Sequence, residues 1–148
     1  MKKISSDPRQ MTLDELFEIP RPVVAAPASM DYDKEIRHLL SAALKQTDKT
    51  RFEVCARMSE LIGQEITISM LNSWTAESRE AWRFPFSYAT PFEIACDTFC
   101  LTEFQARQRG CKVYAGDEVR QAEIGRIESQ MQELATKLKA MKKARIAG

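Results

Sequence analysis

Six apolar residues late in the chain, Ile124, Ile127, Met131, Leu134, Leu138 and Met141, recur at spacings of 3, 4, 3, 4 and 3. Such an alternation puts every apolar side chain on one narrow line of a helix, so the stretch from about Asp117 to Lys143 is predicted to be one long helix. Its acidic residues come early (Asp117, Glu118, Glu123, Glu128) and its basic residues late (Lys137, Lys139, Lys142, Lys143, Arg145). That order suits the helix dipole. A stripe this narrow is the pattern of a seam between helices, so the six residues are read as a coiled-coil oligomerisation surface over 117–145. The alternative is an amphipathic helix folded back on its own core. Counting Ile124 as position a, a parallel dimer brings Lys137 and Lys142 together across the seam. An antiparallel pair sets Glu128 near Lys142 of the other copy, which tilts the expectation toward antiparallel pairing or a higher oligomer.

Upstream, the chain reads as a series of short helices. From Asp31 to about Gln46 the apolar positions Ile36, Leu39, Leu40, Ala43 and Leu44 keep helical spacing, with His38 beside the stripe. A second helix is expected from Lys49 or Thr50 to Ile62, with Phe52, Cys55, Ala56, Met58, Ser59 and Ile62 facing inward. Gly63 is placed to end it in the left-handed conformation. Thr67 reads as the N-cap of a third helix, Ile68 to Trp74, which buries Met70, Leu71 and Trp74 and turns Ser69, Asn72 and Ser73 outward. After a polar loop, Trp82-Arg83-Phe84-Pro85-Phe86 has the bulk to close a core. A helix after Pro91 holds Phe92, Ile94, Ala95 and Phe99, and another carries Leu101 and Phe104 to Gly110. The fold class expected is all-α: a compact helix-turn-helix bundle of four to five helices over 31–112, followed by the long C-terminal helix.

Residues 1–30 carry Pro8, Pro20, Pro22 and Pro27 and read as an extended proline-containing arm. Within it Thr12 and Glu15 form a capping-box pattern ahead of Leu13, Leu16 and Phe17. Those three residues are either a docking helix for a protein partner or a turn packed on its own domain; their small apolar area favours the second.

Several chemistries are disfavoured. His38 is the single histidine of the chain, which argues against sites built on two or three imidazoles. The five glycines form no phosphate-cradling loop, and no nucleophile can be matched to a base, so no enzyme and no cofactor is expected. Cys96 and Cys100 stand one helical turn apart, which raises a thiolate zinc site completed by Cys55 or Cys111. The lack of a CxxC and the neighbouring Phe92 and Phe99 favour free core thiols instead, and no metal is expected. No apolar run of about 18 residues and no apolar leader behind Met1, Lys2 and Lys3 is present, so a cytoplasmic protein that engages no membrane is expected.

The residues Arg51-Phe52-Glu53-Val54-Cys55-Ala56-Arg57-Met58-Ser59-Glu60-Leu61, followed by Ile66-Thr67 and Met70-Leu71-Asn72-Ser73-Trp74-Thr75-Ala76-Glu77-Ser78, resemble lambda-repressor-like (Xre-type) helix-turn-helix domains. With Arg83-Phe84-Pro85 and Glu93-Ile94-Ala95-Cys96 they are similar to small uncharacterised proteins of Mu-like transposable phages and prophages. The likeness spans about residues 36 to 105. One departure stands out: Leu61-Ile62-Gly63-Gln64-Glu65-Ile66 makes the turn after the second helix several residues longer than is usual. The resemblance implies double-stranded DNA binding as an oligomer, in transcriptional control within a bacterial host cell.

In such a domain the third helix enters the major groove. Thr67, Ser69, Asn72 and Ser73 would then reach base edges, with Asn72 able to pair with both the N6 and N7 edges of adenine. Lys49, Arg51, Arg79 and Arg83 would hold phosphates. Charge does not announce this role. Residues 31–115 carry eleven basic and twelve acidic side chains, and the positive excess lies in 116–148, with seven basic against five acidic. Binding would therefore rest on local geometry and on linked copies. Two further readings remain open: a DNA-binding packaging or transposition accessory resembling a small terminase subunit, and a protein-interaction adaptor that does not touch DNA.

Overall fold

The computed structural model describes residues 20–79 and 81–147. The short amphipathic segment at Leu13, Leu16 and Phe17 lies outside them. Among the described residues all regular structure is helical, and no helix is long and apolar enough to cross a membrane. The chain divides into two compact units at Lys112/Val113.

The first unit is a bundle of α1 (Asp33–Gln46), α2 (Arg51–Ile62), α3 (Ile68–Thr75), α4 (Ala89–Cys96) and α5 (Cys100–Gln108), with a 3-10 turn at Phe86–Tyr88 leading into α4. Each helix starts or stops for a local reason. Thr50 and Glu53 form a complete capping box on α2, Thr50 accepting from the Glu53 amide and Glu53 accepting from the Thr50 amide. The Gly63 backbone ends α2 at φ +74°, a conformation that costs other residues about 1 kcal/mol or more. Thr67 caps α3 by accepting from the Met70 amide.

The lengthened turn between α2 and α3 is itself an ordered element. The Ser59 hydroxyl donates to the Cys55 carbonyl at 2.7 Å and accepts from the Ile66 amide at 2.8 Å, while the Ile66 side chain is buried. One side chain from the last turn of α2 thus holds the approach to α3. Around it, α2 packs on α4, α1 on α3, and α5 on both α1 and α4. Leu40, Val54, Met58, Leu71 and Phe92 are wholly buried at the centre. Trp74, Phe84 and Phe92 continue the core as edge-to-face rings with centroids 5.3 and 5.9 Å apart, the arrangement their quadrupoles favour.

Several expectations about facing are corrected. Phe52 is 69% exposed and Ala56 is exposed too, because Val54, Cys55 and Met58 set the inner stripe of α2 and Phe52 lies about 110° around the helix from its middle. Ser73 faces inward and not outward. Trp82 and Phe86 are exposed, leaving Phe84 to close the core. Pro91 occupies the first turn of α4, which begins two residues earlier, at Ala89; that helix ends at Cys96, with Phe99 exposed ahead of α5 and Ile94 on the outer side.

Two buried charged side chains organise the bundle. Arg37 of α1 donates to the carbonyls of Ser73 (3.2 Å), Ala76 (3.0 Å), Arg79 (2.9 Å) and Trp82 (2.8 Å), gathering the end of α3 and the following loop onto α1. Glu93 of α4 accepts from the amides of Leu101 (2.7 Å) and Thr102 (2.8 Å) and from the Thr102 hydroxyl (2.6 Å). It supplies a negative charge to the α5 N-terminus, where otherwise orphan amides point. On the other side, the arm from Pro20 runs along the end of α5. The Val23 amide donates to the Gln108 carbonyl at 3.1 Å, and a Cβ on Gly110 would meet Pro22 Cδ at 2.7 Å and Pro22 N at 2.9 Å.

The second unit is α6 (Asp117–Ala147), 31 residues and about 46 Å long at the usual helical rise. The six seam residues Ile124, Ile127, Met131, Leu134, Leu138 and Met141 are 42 to 71% exposed. Pairs one turn apart, Asp117 with Arg120 and Glu123 with Arg126, run along its first half.

Candidate nucleic-acid interface

The eight residues predicted to meet DNA fall into two groups once their contacts are known. Thr67, Ser69 and Asn72 are exposed along α3. Arg51, the first residue of α2, reaches across and donates from its Nη1 to Asn72 Oδ1 at 2.8 Å. Arg51 and Asn72 are thereby joined across the two helices that the Ser59-braced turn connects, with Ser69 one turn before Asn72 on α3.

The others make contacts within the bundle, Ser73 as a buried side chain and Lys49, Arg79 and Arg83 as exposed ones. Ser73, 2% exposed, donates to the Ser69 carbonyl and accepts from Arg79 Nη1 at 2.9 Å. Ser73 therefore presents nothing to a ligand, whereas Arg79 stays exposed while making that hydrogen bond. Lys49 Nζ donates to the Ala95 carbonyl at the end of α4 at 3.1 Å. Arg83 Nε lies 3.1 Å from Asp33 Oδ2 at the start of α1. A further exposed residue of α3 is Ile68, 41% exposed beside Thr67 and Ser69. Spacing gave no signal of this, since Ile68 stands one turn before Leu71 and reads as a continuation of the Leu71–Trp74 stripe.

The Arg51–Asn72 contact sets the chemistry of the surface. An amide oxygen has two lone pairs, so Oδ1 can take one N–H from Arg51 and still accept a second hydrogen bond, while the Asn72 NH2 remains to donate. An acceptor and a donor side by side match the N6 and N7 edges of adenine. The guanidinium behind them retains further N–H groups for an anionic oxygen. Asn72 is thus oriented by a cation that does not consume its pairing edge. Thr67 Oγ1 is engaged as an acceptor by the Met70 amide, which leaves its hydroxyl hydrogen to donate.

The cysteines stand apart from this surface. Cys55 and Cys96 are buried, Cys100 half-buried and Cys111 exposed, and all four are free thiols. Burial, reinforced by the neighbouring Cys100 thiol, pushes Cys96 up to about 11, against the pull of Lys49. Burial likewise raises Cys55 and Cys100. Among the described residues no group of three His, Cys, Asp or Glu side chains could hold a metal ion.

No family model, curated protein or solved structure matches the chain.

Proposed function

We propose that the chain is a sequence-specific double-stranded DNA-binding protein that acts as an oligomer, a transcriptional regulator of the phage or prophage kind that the resemblance implies. The observation that carries the reading is the hydrogen bond from Arg51 to Asn72 on the exposed side of α2 and α3. It pairs a phosphate-seeking cation on one helix with a base-reading amide on the next, and a turn with its own bracing separates them. Phosphate contacts supply affinity and register, and base-edge contacts supply the sequence. Because residues 31–115 are near-neutral, affinity comes from two or more copies joined along the Ile124–Met141 seam, through effective concentration.

The test is selection of bound sequences from random duplexes at low salt. The wild type enriches a motif; Asn72→Ala relaxes one adenine position at a cost of about 1 to 3 kcal/mol, and Arg51→Ala lowers affinity across sequences. Enrichment of no motif by the wild type defeats the reading. Leu134→Asp, which puts a charge into the seam, lowers the mass measured by light scattering and weakens binding to repeated sites more than to single ones.

A second reading, an adaptor that binds protein, is favoured by the exposed Phe52 and Ile68 on the same two helices. Apolar side chains in that position suit a protein surface as well as a groove wall. An electrophoretic shift that survives competitor DNA eliminates it.

A further inference from the structure

Between α1, the 3-10 turn and α5 lies a cavity of about 350 Å³, within the size range of small-molecule sites. Its walls are mostly apolar and include Ile36, Phe84, Phe86, Leu101 and Phe104. Two features do not fit a gap in packing. Tyr32 lines it, and the Tyr32 hydroxyl is buried without a hydrogen-bond partner. A buried donor left unpaired costs about 1 to 3 kcal/mol, so native structures rarely keep one. The second feature is Arg109, the one charged residue lining the cavity among the described residues. Among the described residues no acidic side chain shares that wall.

We propose that this cavity is a binding site for a small amphiphilic carboxylate, whose apolar body lies against Phe84, Leu101 and Phe104 and whose carboxylate meets Arg109. The carboxylate supplies a negative charge for the guanidinium and an acceptor for the Tyr32 hydroxyl. An amine finds no anion among the described lining residues, and an uncharged hydrocarbon leaves the buried Tyr32 hydroxyl without a partner. The volume suits an aromatic acid or a medium-chain fatty acid. The site is separate from the α2–α3 surface, and the proposal holds whether or not that surface reads DNA.

Calorimetric titration of the full chain with decanoate, and with decanol as the uncharged probe of equal length, tests it. Decanoate binds at one saturable site and more tightly than decanol. Arg109→Gln, at an exposed position, weakens decanoate about tenfold and leaves decanol unchanged, since a charge-assisted pair is lost. Tyr32→Phe weakens decanoate without lowering the melting temperature, because the hydroxyl it removes has no partner in the fold. Leu134→Asp changes neither affinity. The proposal is overturned if decanoate gives no saturable binding at millimolar concentration, if Arg109→Gln leaves the preference for acid over alcohol intact, or if Leu134→Asp abolishes binding, which would put the acid in the α6 seam.

Discussion

Replacing Arg37 by methionine keeps an unbranched stem of similar length and removes the head group that holds, among others, the carbonyls of Ser73, Ala76, Arg79 and Trp82. Hydrogen bonds to a charged donor contribute about 1.5 to 3 kcal/mol each, but that figure does not multiply by four. The carbonyls of Ala76, Arg79 and Trp82 belong to a loop in partial contact with water, so a variant can rehydrate them. Ser73 is 2% exposed, and its carbonyl cannot be rehydrated without opening the end of α3. One orphaned carbonyl at about 1 to 3 kcal/mol, with some loss of loop order, gives a total of about 3 kcal/mol. For a bundle of this size that is a fall in melting temperature of roughly 12 to 24 °C. Tryptophan fluorescence reads it cleanly, because both tryptophans, Trp74 and Trp82, lie in the bundle and α6 has none. Arg37→Lys falls between, since an ammonium lacks the planar fork that spans carbonyls on different residues. Arg57→Met, at an exposed position beside Glu60, changes stability by no more than about 0.5 kcal/mol. A methionine variant at position 37 that melts within about 3 °C of wild type would refute the reasoning and show that the carbonyls exchange the guanidinium for water at little cost.

Glu93→Ala strands two amides at the start of α5 and lowers stability by about 2 to 4 kcal/mol, while Glu93→Gln, which keeps an acceptor, loses about half of that; thermal melts of the pair separate geometry from charge. The Thr50 backbone amide, and then its hydroxyl, hold the Glu53 carboxyl below the usual carboxylate range. A depressed folded value means stability present above the unfolded pKa and lost as pH falls through the folded one. Glu53→Gln therefore flattens the acid limb of the stability profile, and equal slopes in the two proteins would count against the capping box. With a chromogenic disulfide at neutral pH, Cys111 reacts at once and Cys55, Cys96 and Cys100 wait for unfolding, since burial keeps them as thiols; fast reaction of more than one thiol overturns this.

The parts of the fold legible in the sequence were those decided within a turn or two of chain. Thr67 caps α3 because a hydroxyl there meets an amide three residues on, and Gly63 ends α2 because only a left-handed residue continues that path. Facing was harder. On α2 the bulky Phe52 reads as an inner residue, yet the stripe is set by Val54, Cys55 and Met58, and hydrophobicity alone does not choose between neighbouring faces. Long-range polar contacts left no local trace. Arg37 sits beside an apolar stripe like any boundary arginine, and its acceptors lie 36 to 45 residues away. The same distance hid the fate of the predicted site. Arg51 and Asn72 meet through the α2–α3 geometry across 21 residues, while Ser73 bonds to Arg79, Lys49 to the Ala95 carbonyl and Arg83 pairs with Asp33.

Gly110 bears on how the first unit carries load. Its contact with Pro22, and the Val23–Gln108 hydrogen bond next to it, place the strands of chain entering and leaving the bundle side by side. Tension applied between the arm and the segment beyond Lys112 would peel those neighbours apart before it reached the core, one hydrogen bond and one proline contact at a time. In an assembly tethered through its far end, a pull would first lengthen the connection and leave the bundle folded.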